Sequence, residues 1–350
     1  MSITTHRSTL PRDAAERAFA ARTVRMAEDD RRARVALDGL SERYRSERVR
    51  LLGADGDRVL REFAAAHRRK PNADGSIGRP TEEERRAARR AVADLAAAHK
   101  IDLGVLAPLH AEMDVQFRRI TTPALSRDVE VTASDVAPPV PSATFTSFGH
   151  WDAGGAYWFS NSSNWVERFD SLHLPAWNRT GSDIRMHMWN TDNRDKFRGH
   201  RNNGYLVDYT MPSAGRLQIT MGATCAFTER ILNGDDEYGI SDCRLSAGGL
   251  GLIEVYSGWD DPTPDSQNYS YGLSGYSMIG GATSFHENPV PAGAFRSATV
   301  TTNTHFPAGA SVLVYAATFQ ELYASVNDTS VAAVINDSWY VGWISVNRVP

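Results

Sequence analysis

The sequence predicts an α + β chain with its two kinds of structure in separate domains: an N-terminal helical segment of three to five helices, then an all-β antiparallel sandwich of jelly-roll type. Three observations carry this expectation. Apolar residues recur at helical spacing up to about residue 120 and alternate with polar ones after residue 142. All 8 tryptophans and both cysteines follow residue 142. Between the two patterns lies Thr121–Ser142, with prolines at 123, 138, 139 and 141. The division is therefore 1–120 as a helical assembly or anchoring domain, 121–142 as a Pro-rich joint, and 143–350 as the β-sandwich head.

Within the helical half, Thr9 is a capping residue, and Pro11, Asp13 and Glu16 suit a first turn. Asp38-Gly39 reads as an interruption, with Ser41 capping a restart through Leu52, and a third helix follows from Asp57 to about His67. After the Gly/Pro-punctuated loop 70–80, Thr81 and Glu84 form a capping box. Ala87, Ala88, Ala91, Val92, Leu95 and Ala98 then give an apolar stripe, and a last short helix covers Ala107–Arg119. Large apolar side chains are few. Alanine-lined interfaces bury little area at roughly 25 cal/mol per Å², so this half is expected to need extra contacts, from self-association or a partner.

In the β half, strands are expected at 143–148, 156–159, 184–189, 206–210, 217–221, 250–256, 298–302, 310–318, 331–335 and 338–346. They are short and punctuated by turns, as in a two-sheet sandwich. The last is apolar on both faces, which places it at a sheet centre or against a partner chain. DVEVT (128–132) reads as an edge strand ahead of the Pro run, and that run reads as a short stiff spacer between base and head.

Charge divides with structure. Residues 1–120 carry 25 Lys/Arg against 19 Asp/Glu, and residues 121–350 carry 13 against 23. The helical charges mix both signs, as solvated faces with i,i+4 pairs do, so nucleic acid is not an expected partner. No apolar run approaches a transmembrane span. The opening MSITTHRSTLPRD has no apolar h-region, so no classical signal peptide is expected, and the chain is placed in the cytoplasm or in a released particle.

Candidate site residues come from the β half. Trp151, Tyr157, Trp158, Trp165 and Trp177, with Trp259 beyond them, sit among Gly, Ser and Asn. Ring faces beside amide and hydroxyl groups suit sugars, and the same rings also suit a sandwich core. Asp235, Asp236, Asp260 and Asp261 occupy two acidic loops whose oxygens suit calcium but lack EF-hand spacing; the alternative is a solvated turn. Cys225 and Cys243 flank a turn centred near Gly234, so a hairpin there would set them opposite each other for a disulfide; the alternative is two small buried thiols. No HxxxH, GxSxG or phosphate-cradling pattern occurs, and no metal or cofactor is called for. Glu254, mid-strand, is the carboxylate best placed for glycoside chemistry, though no partner acid is identifiable; the alternative is a place on an exposed sheet face.

The function expected is a non-enzymatic binding or structural protein with an adhesive role. Its head would recognise a glycan or protein surface, and its helical base would self-associate as a homo-oligomer or dock on a partner. The alternatives are a sandwich-fold glycan hydrolase or lyase using Glu254, and a membrane-active toxin whose amphipathic helices insert.

Overall fold

The computed structural model describes residues 12–67, 80–134, 150–151, 157–160, 181–188, 195–234, 238–240, 242–258, 265–280, 285–287, 293–327 and 331–350. Three helices come first: α1 (Arg12–Ala66), α2 (Glu82–His99) and α3 (Leu106–Thr121). α1 runs unbroken through Gly39 and is interrupted instead at Gly53 (φ 73°, ψ 159°). A helical glycine is a weak breaker, and Leu37, Leu40, Ser41 and Tyr44 form one buried face across position 39 that holds the helix together. The bend at Gly53 is clasped by Arg48 and Asp57, both buried and 2.8 Å apart, with Arg61 2.9 Å from the same carboxylate. The capping box of α2 forms as expected: Thr81 N–H donates to Glu84 Oε2 at 2.6 Å, and Glu84 N–H donates to Thr81 Oγ1 at 3.2 Å.

Twelve strands follow among the described residues. They are β1 (Val129–Ser134), β2 (His150–Trp151), β3 (Tyr157–Ser160), β4 (Gly181–Met188), β5 (Asp195–Thr210) and β6 (Arg216–Gly234). Then come β7 (Asp242–Ser257), β8 (Asp265–Ile279), β9 (Phe285–Glu287), β10 (Phe295–Thr301), β11 (Ser311–Asn327) and β12 (Val331–Val349). They build two antiparallel sheets. Sheet A has the order β1-β10-β6-β12-β4, with β9 on β6; sheet B has the order β2-β5-β11-β7-β8, with β3 on β5. The sheets face each other across one core, with Ile219, Met221 and Trp339 from sheet A meeting Ile253, Tyr271 and Val314 from sheet B.

Several strands are longer than the alternation in the sequence shows. The two segments expected at 331–335 and 338–346 are one strand, β12, with register shifts at Asp337/Trp339 and Val341/Trp343. β4 flanks β12 only from Val331 to Ser338, so the double apolar character of the stretch beyond does not come from a central position: the second register shift brings Ile344 and Val346 into the same core as Trp339 and Val341. The second shift turns Trp343 away from the face of Trp339 and Val341. Its ring lies where a Cβ on Gly222 would be, and it stacks on Phe295 with centroids 6.5 Å apart. β8 was not foreseen, because its run of Ser, Gly and Asn reads as loop.

Of the two readings of Cys225 and Cys243, the structure shows the second: both thiols are buried and not bridged to each other. β6 and β7 enter different sheets after the turn, so they make no hairpin. Cys225 is opposite Trp339 in sheet A and Cys243 opposite Val326 in sheet B.

The helices lie on the outer face of sheet B. Their core of Leu37, Leu40, Tyr44, Leu60, Met113 and Phe117 is completed by Ile240 and Tyr323 of the β half. The thin helical core thus finds its extra contacts within the chain. The first part of the joint is stitched to the head: Ser126 N–H donates to Ser270 O at 3.0 Å, and Ser270 Oγ donates to Ala124 O at 3.1 Å. The chain then enters β1, the expected edge strand, which pairs with β10. The segment from Ala124 to Ser134 is therefore hydrogen-bonded to the head, while the Pro run at 138–141 and the strand expected at 143–148 lie outside the described residues.

Candidate functional site

The outward face of sheet B and the inward face of α1 meet through charged groups. Glu254 is buried on β7, and both its oxygens are engaged. Its Oε2 accepts from Arg22 Nε at 3.1 Å and from the Tyr256 hydroxyl at 2.6 Å, while Oε1 lies 2.8 Å from Arg25. Arg25 also donates to the Tyr256 hydroxyl at 3.2 Å, and the Arg22 guanidinium lies 4.6 Å from the centre of the Tyr315 ring. Burial, reinforced by the Glu254 charge, holds the Tyr256 hydroxyl protonated well above its ordinary range.

A second knot lies farther along the same face. Arg198 of β5 binds Asp30 of α1 and sits 3.3 Å from Glu321 of β11. Glu321 also accepts from the Tyr323 hydroxyl at 3.0 Å and from that of Tyr276. Burial, then the Glu321 charge, pushes both tyrosines far up. A third contact joins α3 to β7: Arg244 Nε donates to Asp114 at 2.8 Å and lies beside the Tyr44 ring. The Tyr44 hydroxyl stands 3.0 Å from His110 Nε2. Burial, with Arg244 and Arg48 adding repulsion, pushes His110 down to about 4. Between the first two knots lies a cleft of about 530 Å³.

These carboxylates do not make a hydrolytic pair. Glu254 is in register with Tyr315, and Glu321 is six residues farther along β11 on the same face. That separates them by roughly 20 Å, whereas glycosidase carboxylates stand roughly 5–10 Å apart. Guanidiniums and tyrosine hydroxyls occupy the lone pairs a substrate would need. Among the described residues, no group of three or more His, Cys, Asp or Glu gathers to hold a metal, and no helix is long and apolar enough to cross a membrane.

Three of the aromatic candidates fall on strands that pair with β5 at the edge of sheet B: Trp151 is in register with Gly204, Tyr157 with His200 and Trp158 with Gly199. Trp165, Trp177, Trp259, Asp235, Asp236, Asp260 and Asp261 lie outside the described residues.

The outer face of sheet A has a different chemistry. Register places Glu130, Thr299, Thr220 and Ser345 in one row across four strands, and Thr132, Ser297, Gly222 and Trp343 in the next. The Thr220 and Thr299 hydroxyls are 2.9 Å apart, and Thr132 and Asn347 are exposed. The three hydroxyls of the first row, on neighbouring strands, span about 10 Å. Sequence reading passed over it because a lone Thr or Ser on a strand carries no signal until register aligns it with others. The arginines and aspartates of α1 were likewise read as solvated. Their signal was spacing: Arg22, Met26, Asp30, Ala33, Leu37, Tyr44 and Arg48 continue a single helical face.

No protein-family model and no curated protein matches the chain. Among solved structures, TmCBM61 in complex with β-1,4-galactotriose aligns at 6% identity and a TM-score of 0.15, over 53% of this chain and 88% of that one. The enzymatically active domain of bacteriophage CBA120 tailspike protein 4 aligns at 10% identity and a TM-score of 0.12, over 47% of this chain and 19% of that one. At these scores neither likeness carries an argument about this molecule.

Proposed function

We propose that this is a non-enzymatic recognition and assembly protein with a jelly-roll head that binds a glycan or a protein surface. The strand order supports the fold: β4-β12-β6-β10 faces β5-β11-β7-β8, the arrangement of two interleaved Greek keys, with β1 added at one edge. The observation that carries the functional reading is that both carboxylates are spent on structure: Glu254 holds Arg22 and Arg25 of α1, and Glu321 holds Arg198, which in turn binds Asp30 of α1. The helices are thereby fastened to sheet B by structural ion pairs. The outer face of sheet A carries the hydroxyls of Thr299 and Thr220, half-buried, with Thr132 and Asn347 exposed beside them, and such groups hydrogen-bond sugar hydroxyls or a peptide backbone.

The helical layer supplies the assembling part. α2 buries Val92 and Ala96 and leaves Arg86, Arg89, Arg90, Ala93 and Ala97 exposed, a face suited to a second copy or a partner. The test is a glycan panel probed with the full chain and with Thr299→Arg, which sets a long cation in the hydroxyl row. Binding without product release, lost in Thr299→Arg, is expected. Product release that disappears in Glu254→Gln would replace this reading with the hydrolase.

A further inference from the structure

We propose that the cleft between α1 and sheet B is a binding site for a small uncharged amphipathic molecule, an apolar body of one or two rings carrying a carbonyl or hydroxyl acceptor. The volume of about 530 Å³ falls within the range of small-molecule sites. Its floor is apolar, made by Leu250 and Leu252 of β7 and Phe319 of β11. The helix above presents Ala33 and Ala36, whose short side chains leave the space open between the two ion-pair knots. Asp29, Arg32 and Asn268 are exposed at its rim, so the cleft is reachable from solvent.

The charge on its lining is already matched. Arg22 and Arg25 face Glu254, Arg32 faces Asp29 at 2.9 Å, and Arg198 faces Asp30 and Glu321. An ionic ligand would find no unmatched counter-charge there, so the occupant is neutral. One donor is left over. Arg198 lines the cleft, is 7% exposed, and its Nε makes no hydrogen bond among the described residues. A buried N–H without an acceptor is unfavourable, and a carbonyl or hydroxyl oxygen on the ligand supplies one.

Prodan, an uncharged naphthalene ketone whose emission shifts to the blue in apolar surroundings, is the probe, titrated into the full chain. Saturable one-site binding with a blue shift is expected. Ala33→Phe and, independently, Ala36→Leu fill the roof and should each weaken it by about tenfold or more, with far-UV circular dichroism confirming the fold. Arg198→Lys keeps a cation beside Asp30 and Glu321 but removes Nε. It should weaken prodan by about tenfold and leave naphthalene, which lacks the carbonyl, unaffected. Failure of prodan to bind the folded chain saturably overturns the proposal. So does tighter binding of the anionic 1-anilinonaphthalene-8-sulfonate, or a prodan affinity untouched by the roof variants or by Arg198→Lys.

Discussion

His110 shows how a residue from the helical half is tuned by the β half. Its ring is buried between Tyr44, Arg48 and Arg244, and its titration is pushed down to about 4. The unfolded chain takes up a proton at the ordinary value near 6.5. Between these two values the unfolded state binds more protons, so stability is full above about pH 6.5 and falls as the pH drops toward 4. The loss amounts to roughly 2–4 kcal/mol. Burial pushes the Asp114 carboxyl up, which adds a slope of opposite sign at acid pH, so the difference between wild-type and His110→Gln profiles isolates the histidine. Denaturant melts from pH 4 to 7.5 should show that slope in the wild type and a flatter line in the variant. The same scale holds Glu254, whose strand position and sequence neighbours are those of a candidate acid. Its true partners, Arg22 and Arg25, lie more than 200 residues away, and no local pattern names them.

At the scale of elements, Gly39 and Gly53, two of the three glycines of α1, separate a sequence signal from a structural one. Gly39 is exposed and helical, with open space around an added Cβ, so Gly39→Ala should stabilise the chain by about 0.5–1 kcal/mol. Gly53 holds φ 73° and ψ 159°, a conformation other residues avoid, so Gly53→Ala should destabilise it by about 1–3 kcal/mol. Chemical denaturation of both variants checks the pair. Gly222 gives a third element-scale expectation. A Cβ there would meet the Trp343 ring, so Gly222→Ala should cost about 1–3 kcal/mol and quench or shift tryptophan fluorescence.

The capping box of α2 and the approximate extents of α3 and β1 were legible because each depends on nearby residues or on hydrophobic period. The break in α1, the length of β6 and the existence of β8 were not. Packing across sheets decided them, and a polar strand such as β8 shows no period to read. The same reason hid the hydroxyl row of sheet A and the ionic face of α1. Each is a property of register or docking that appears only when distant strands are set side by side.

For the whole molecule, the helices and the head form a shared structure. Tyr323 and Ile240 complete the helical core, and Arg198, Glu254 and Arg244 tie it to sheet B. Hydrogen exchange should therefore show residues 30–50 of α1 and the middle of β7 and β11 opening together as denaturant rises. A helical layer that exchanged independently would separate the base from the head. The central claim is that Glu254 is a structural tie and not an acid kept for chemistry. Removing its charge leaves Arg22 and Arg25 buried or half-buried without their carboxylate, a loss of roughly 2–4 kcal/mol. The decisive measurement is the calorimetric Tm of Glu254→Gln against wild type. A Tm lowered by several degrees is the predicted result; a Tm unchanged or raised, as for a catalytic residue held at the expense of stability, would contradict it.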